Sequence, residues 1–182
     1  MSAPLAMAAD LPYGTIAQPP APAAPQMWGW EVRGGVLAHD PESPEGGSAD
    51  LNGELLFPQL WHSSSPLWNE FIPHPDIGFT ANFSGKTSQA YAGLAWNFDL
   101  THNFFFSGEI GGGVNDGDTG AVVPSGHSKI GCNEWFHESA SFGYQLTEAW
   151  SVMGTIEHSS NAGLCTENRG VTNYGMRVGY KF

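Results

Sequence analysis

From Trp28 onward the apolar residues fall at every second position and not at helical spacing. In "WGWEVRGGVLA" Trp28, Trp30, Val32, Val36 and Ala38 alternate with positions that include Glu31 and Arg33. A period of two sends successive side chains to opposite faces, so this segment predicts a strand with one greasy and one polar face. Seven more segments carry the same pattern: "LNGELLF", "IGFTANF", "AGLAWNFD", "NFFFSGEI", "FHESASFGYQL", "SVMGTIEHSSN" and "TNYGMRVGYKF". The pattern therefore predicts eight strands. The connections "DLTHN" and "LTEAW" are tight, whereas residues 39–50, 112–131 and 162–171 are long, polar and rich in Gly. Only the connection around "SSSPLWNEFIPH" is long on the nominally tight side. An even strand count with short turns at one end and long loops at the other predicts an all-β fold, an eight-stranded antiparallel up-and-down transmembrane β-barrel.

Alternation alone does not say which face is inside, and a lipocalin-like barrel would place the apolar face inward. The polar faces decide between them. Glu31, Arg33, Glu54, Glu109, Glu157, Arg177 and Lys181 carry both signs and can pair across a lumen that side chains fill. Their partner faces are crowded with aromatics near both strand ends, as interfacial girdles require. The reading is a barrel in a bacterial outer membrane, its greasy face toward lipid.

Composition sharpens this picture at three points. A formal net charge of −12 lacks the basic footprint of a nucleic-acid binder and sets that class aside. Residues 1–26 read as a leader: Ala6-Met7-Ala8 looks like the end of a secretory signal, and "QPPAPAAPQ" has no packing periodicity. The barrel domain is then expected over residues 27–182. Cys132 opens the sixth segment and Cys165 follows the seventh, both at the outer end of adjacent strands. The export route is oxidising, so a Cys132–Cys165 disulfide is expected. Cys132, His137 and Cys165 lack the spacing of a zinc site.

The chemistry sits in "IEHSSNAGL". On the strand parity Ile156, His158 and Ser160 face lipid, while Glu157, Ser159 and Asn161 point inward. A histidine and a hydroxyl at the outer end of an apolar face sit where desolvation is costly, so a partner or a task is expected of them. "EHSSNAGL" followed by "ENRGVTNYGMRVGYKF" closely resembles the C-terminal signature of PagL-type lipid A 3-O-deacylases, a family of eight-stranded outer-membrane barrels. The likeness is most specific over residues 134–182. It implies a serine esterase that removes an ester-linked acyl chain from lipid A in the outer leaflet, with no metal or cofactor. It further implies His158 as general base, Ser160 as nucleophile and Asn161 as support for the oxyanion.

One departure matters. The family carries a Glu on its last strand, and alignment on Asn168-x-Gly170 puts Thr172 there. A hydroxyl brings no negative charge to orient and stabilise an imidazolium. Strand parity offers Glu138 instead: it interrupts the apolar face of the sixth strand, and the short "LTEA" turn places it opposite His158 or one pair away. Directly opposite side chains stand about 5 Å apart, so Glu138 is the expected acid, with Thr172 as the alternative third member. The charges of the long loops, including Asp40, Glu42, Glu45 and Arg169, read as ordinary solvated surface. The Thr172 departure also leaves a second reading, a non-catalytic small barrel that serves as a structural or surface-interaction protein.

Overall fold

The computed structural model describes residues 29–182. The leader and Trp28 lie outside them. Eight antiparallel strands close into one barrel in chain order: β1 (Glu31–His39), β2 (Ser48–Leu56), β3 (His74–Asn82), β4 (Gln89–Asp99), β5 (Phe104–Asn115), β6 (Glu134–Gln145), β7 (Trp150–Ser160) and β8 (Val171–Lys181). Pairing of β1 with β8, from Glu31↔Lys181 to Ala38↔Tyr174, closes the wall and leaves no free sheet edge. In lipid that closure satisfies the backbone N–H and C=O groups, which no solvent would otherwise reach. The connection between β2 and β3 holds a single turn of helix, α1 (Pro66–Asn69), started by a proline at its first position.

Exposure settles the sidedness. Val36, Ile110, Phe142 and Met176 on the outer face are 55–61% exposed, whereas Glu157 and Arg177 on the inner face are 1% exposed. The apolar face therefore looks outward and the charged face fills the lumen. Aromatic pairing is densest at the end with the tight turns, where Trp30 packs on Phe57, Phe104 on Tyr144, and Trp150 on Tyr180 with ring centroids 4.7–5.0 Å apart. The expected girdle is thus concentrated at one end of the wall and sparser at the other.

Buried charges pair within the lumen. Arg177 donates to Glu54 at 2.8 Å and to Glu157 at 2.9 Å, and Arg33 donates to Glu31 at 2.9 Å. Glu157 also accepts hydrogen bonds from Thr80, Gln89 and Asn173, so one carboxylate joins β3, β4, β7 and β8. Taking such ions out of water costs several kcal/mol each, and the pairing offsets that cost only while every partner is present.

The loops at the other end are tied down as well. The disulfide Cys132–Cys165 joins the loop before β6 to the loop after β7. Glu45, in the loop between β1 and β2, is fully buried and not the solvated charge its sequence context suggests. It accepts hydrogen bonds from the Thr87 and Ser128 backbone N–H groups, both at 2.9 Å, and from the Thr87 hydroxyl at 3.1 Å. At the end of β1, His39 Nε2 lies 2.9 Å from Glu45 Oε2. Burial pushes this carboxyl up, but the hydrogen bonds from His39, Ser128 and Thr87 prevail and hold it down to about 2. Glu45 therefore stays ionised and pins three loops to the end of β1.

Arg177→Ala would strand Glu54 and Glu157 in the lumen. The expected loss is about 3–5 kcal/mol of barrel stability, read as a lower midpoint of urea unfolding in lipid vesicles. A midpoint equal to that of the parent chain would show that the pairs carry no net stability.

Candidate active site

On β7 the even-numbered residues face out. His158 and Ser160 share that outer face and are both half-buried. The register puts Glu138 of β6 directly opposite His158, and Thr172 of β8 directly opposite His158 on the other side. One row across the outer wall thus reads Glu138, His158, Thr172. Ser160 lies in the next row outward, opposite Phe136.

The imidazole turns toward β8. His158 Nδ1 lies 2.8 Å from Thr172 Oγ1. Glu138 has the expected register but is exposed, and among the described residues no hydrogen bond or ion pair joins it to the ring. The side chain of His158 has chosen the other neighbouring strand, so Thr172 and not Glu138 is the residue bonded to Nδ1.

Nε2 points toward the row of Ser160. A Cβ added to Gly170 would stand 2.7 Å from His158 Cε1 and 3.1 Å from Nε2. One step beyond the pair Ser159↔Val171, Gly170 faces Ser160 across the β7–β8 ladder. The missing side chain is what lets the far edge of the ring reach the serine's row. Among the described residues no hydrogen bond joins Ser160 Oγ to the ring. Such bonds are often long or unformed before substrate binds.

The inner face holds a second Ser–His pair. His137 Nδ1 lies 2.9 Å from Ser159 Oγ, which itself donates to Gln89 at 2.7 Å, and the His137 ring stacks on Tyr91. Both residues are 0% exposed, so no substrate reaches this pair. Cys132 and Cys165 are bonded to each other and are not zinc ligands. Among the described residues the one group of side chains placed to share a metal is Glu54, Asp76 and Glu109, buried in the lumen on the far side of the wall from the His158 ring.

Asn161 is 2% exposed and its polar atoms are engaged. Its amide nitrogen donates at 2.8 Å to the Ile130 and Glu167 carbonyls, its Oδ1 accepts from the Gly163 N–H, and its own N–H donates to Asn168 Oδ1. It shapes the turn after Ser160, in which Ala162 and Gly163 adopt positive φ of 52° and 79°.

Two depressions meet at His158. One, about 480 Å3, runs down the outer wall and is lined by Trp96, Ile110, Ala140 and Ile156, with Glu138 and His158 at its head. The other, about 460 Å3, lies among the loops and is lined by Asp40, Glu42, Asn168, Arg169 and Thr172, again with His158. The first is almost wholly apolar and the second sets charged and polar side chains beside apolar ones, and the imidazole stands where the two meet.

Comparison with known proteins decides the family. The family model for "Lipid A 3-O-deacylase (PagL)" matches residues 47–181. The chain belongs to that family. The crystal structure of the outer membrane enzyme PagL superposes with a TM-score of 0.63 at 18% identity, covering 84% of this chain and 99% of that one. A de novo designed transmembrane β-barrel superposes with a TM-score of 0.53 at 13% identity, covering 85% of this chain and 96% of the design. A comparison with curated protein sequences found no match. Membership of the PagL family makes the chain an outer-membrane ester hydrolase of the lipid A deacylase type.

Gly170→Ala tests the placement of the ring. The new methyl group would stand 2.7 Å from the imidazole and 2.9 Å from the Ser159 carbonyl oxygen, so the ring or the strand beside Ser160 must move, and a displacement of about 1 Å costs on the order of 10²-fold in rate. The deacylation rate is expected to fall by that order while heat-dependent gel mobility shows an intact barrel. An unchanged rate would show that catalysis does not use this ring position.

Proposed function

We propose that the chain removes an ester-linked acyl chain from lipid A in the outer leaflet, with Ser160 as nucleophile and His158 as general base. The observation that carries this reading is the position of His158 where an apolar groove on the wall meets a pocket among the loops that carries charged and polar side chains. An acyl ester of a glycolipid presents that same border: a hydrocarbon chain on one side and a sugar on the other. The groove takes the chain, the loop pocket takes the headgroup, and the carbonyl comes to rest near Ser160.

In the reaction Ser160 Oγ attacks the carbonyl while Nε2 of His158 accepts its proton. The proton then passes to the departing sugar oxygen as its bond to the carbonyl carbon breaks, and water attacks the acyl-enzyme with His158 again as base, releasing the fatty acid and Ser160. For Nε2 to accept, Nδ1 must carry the ring hydrogen and donate it to Thr172 Oγ1. Asn161 supports the oxyanion indirectly, by fixing the turn that follows the nucleophile. Glu138, unbonded at the head of the groove, adds a negative charge near the imidazolium and no orienting contact.

The non-catalytic reading drew its support from Thr172 in place of an acid. Thr172 at hydrogen-bond distance from Nδ1 removes much of that support, because it can hold the ring in the tautomer that catalysis needs.

The two serines of "HSSN" separate the reading from its rivals. Ser160→Ala is expected to lower lipid A deacylation by about 10³-fold or more. Ser159→Ala should leave the rate within about threefold and lower stability by about 1–3 kcal/mol, since it frees a buried hydrogen-bonding partner. Mass spectrometry of lipid A, reporting loss of one acyl chain, reads both. Deacylation that survives Ser160→Ala and is lost in Ser159→Ala would reverse the assignment. Separately, Ala140→Phe fills the wall groove and should slow release of long acyl chains far more than hydrolysis of a short-chain ester. Equal slowing of the two would take the chain out of that groove.

A further inference from the structure

We propose that Asp40 is the positioning carboxylate of this site, acting on His158 through the Thr172 hydroxyl in place of the glutamate that the family carries on its last strand. The inference rests on the reading of Ser160 and His158 given above.

The register supplies the first observation. The β1–β8 ladder ends at Ala38↔Tyr174, and its next outward-facing step sets Asp40 against Thr172. The row on the outer wall then continues from β6 to the end of β1: Glu138, His158, Thr172, Asp40. The contacts are consistent with this order. Asp40 Oδ1 accepts the Thr172 backbone N–H at 3.1 Å, and Asn173 Oδ1 accepts the Asp40 N–H at 2.9 Å. Asp40, Thr172 and His158 line one pocket.

The second observation is an unused atom. Asp40 is only 4% exposed, and its Oδ2 is buried without a hydrogen-bond partner among the described residues. Leaving a carboxylate oxygen in that condition is costly. The Thr172 hydroxyl has the matching surplus. When it accepts the hydrogen of Nδ1, its own proton needs an acceptor, and the carboxylate anchored to the same residue's N–H provides one.

The third observation is backbone strain. Asp40 has a φ of 31°, one of two non-glycine residues with positive φ among the described residues. Aspartate tolerates this region better than most residues, yet the conformation carries a cost that surrounding structure must hold in place. Here the loop is pinned by Glu45, and the result is a carboxylate turned back over β8 instead of out into solvent.

A carboxylate behind Thr172 favours the imidazolium that forms when the ring takes the nucleophile's proton. The other titratable groups around the ring are Glu138 from β6, Tyr174 from β8, Glu42 from the β1–β2 loop and Arg169 from the β7–β8 loop, with His137 behind it on the lumen side of β6. They remain in an Asp40 variant, so a shift on substitution reports Asp40 itself.

The test measures kcat and KM for lipid A deacylation against pH, using the full chain folded in vesicles that contain lipid A. Asp40→Asn is expected to lower kcat at least about tenfold with little change in KM, and to move the acidic limb of the kcat/KM profile to lower pH. Thr172→Val should do the same. Adding Thr172→Glu to Asp40→Asn, which restores a carboxylate beside Nδ1, should recover rate and return the limb toward its original position. An Asp40→Asn enzyme with kcat within twofold and an unmoved limb would overturn the proposal. So would a loss that Thr172→Val does not share and Thr172→Glu does not repair, because that pattern marks a merely structural aspartate. Where Asp40→Asn fails to fold by gel mobility, an unmoved limb in Thr172→Val overturns it alone. Ser160→Ala runs beside these variants: activity surviving there would sink the nucleophile assignment, whatever Asp40 does.

Discussion

Everything in this molecule depends on a closed hydrogen-bonded wall in which residue parity chooses the solvent. Because strand side chains alternate and the wall has no edge, each residue faces either lipid or lumen, and a shift of one position would exchange them. The buried ions of the lumen set which way the alternation falls. Arg177 between Glu54 and Glu157, and Arg33 on Glu31, would be ruinous against lipid and are satisfied inside. With those positions fixed inward, His158 and Ser160 have no choice but to look out.

The same constraint builds the site without a pocket in the usual sense. A soluble hydrolase encloses its substrate; here Glu138, His158 and Thr172 stand in one row on the outer face of three neighbouring strands, with Ser160 in the next row. Register supplies the neighbours of His158, Gly170 leaves room for its ring, and the loops tied by Glu45 and the Cys132–Cys165 bridge supply the polar side. Two Ser–His combinations lie on opposite faces of the wall: His137 of β6 and Ser159 of β7 are hydrogen-bonded and buried in the lumen, while His158 and Ser160 share the half-buried outer face of β7 and, among the described residues, have no hydrogen bond between them.

Much of this was readable in the chain. The alternation identified all eight strands, though β2 begins at Ser48 and β3 at His74, where polar residues hid the start of the pattern. Parity placed His158, Ser160 and Glu138 on one face, and the index sum across the "LTEA" turn put Glu138 opposite His158 or one pair away; the register sets it directly opposite. What parity cannot convey is a rotamer: His158 has a neighbour on each side, and the ring turned to Thr172. Nor do loops have a period. Asp40 and Glu45 look like solvated charges among "HDPESPEGG", and their burial comes from contacts with Thr172, Thr87 and Ser128, residues distant in the chain that only closure of the barrel brings near. Asn161 likewise carries a family role in its sequence context, while its contacts show the brace of a turn.

The sidedness of the nucleophile is best tested by chemistry confined to the membrane. A long-chain alkyl fluorophosphonate partitions into the bilayer and reacts only with an activated serine that lipid can reach. With the protein reconstituted in vesicles, peptide mass spectrometry is predicted to find the adduct on Ser160 and to lose it in His158→Ala. An adduct on Ser159, or labelling of Ser160 that is indifferent to His158, would contradict the account.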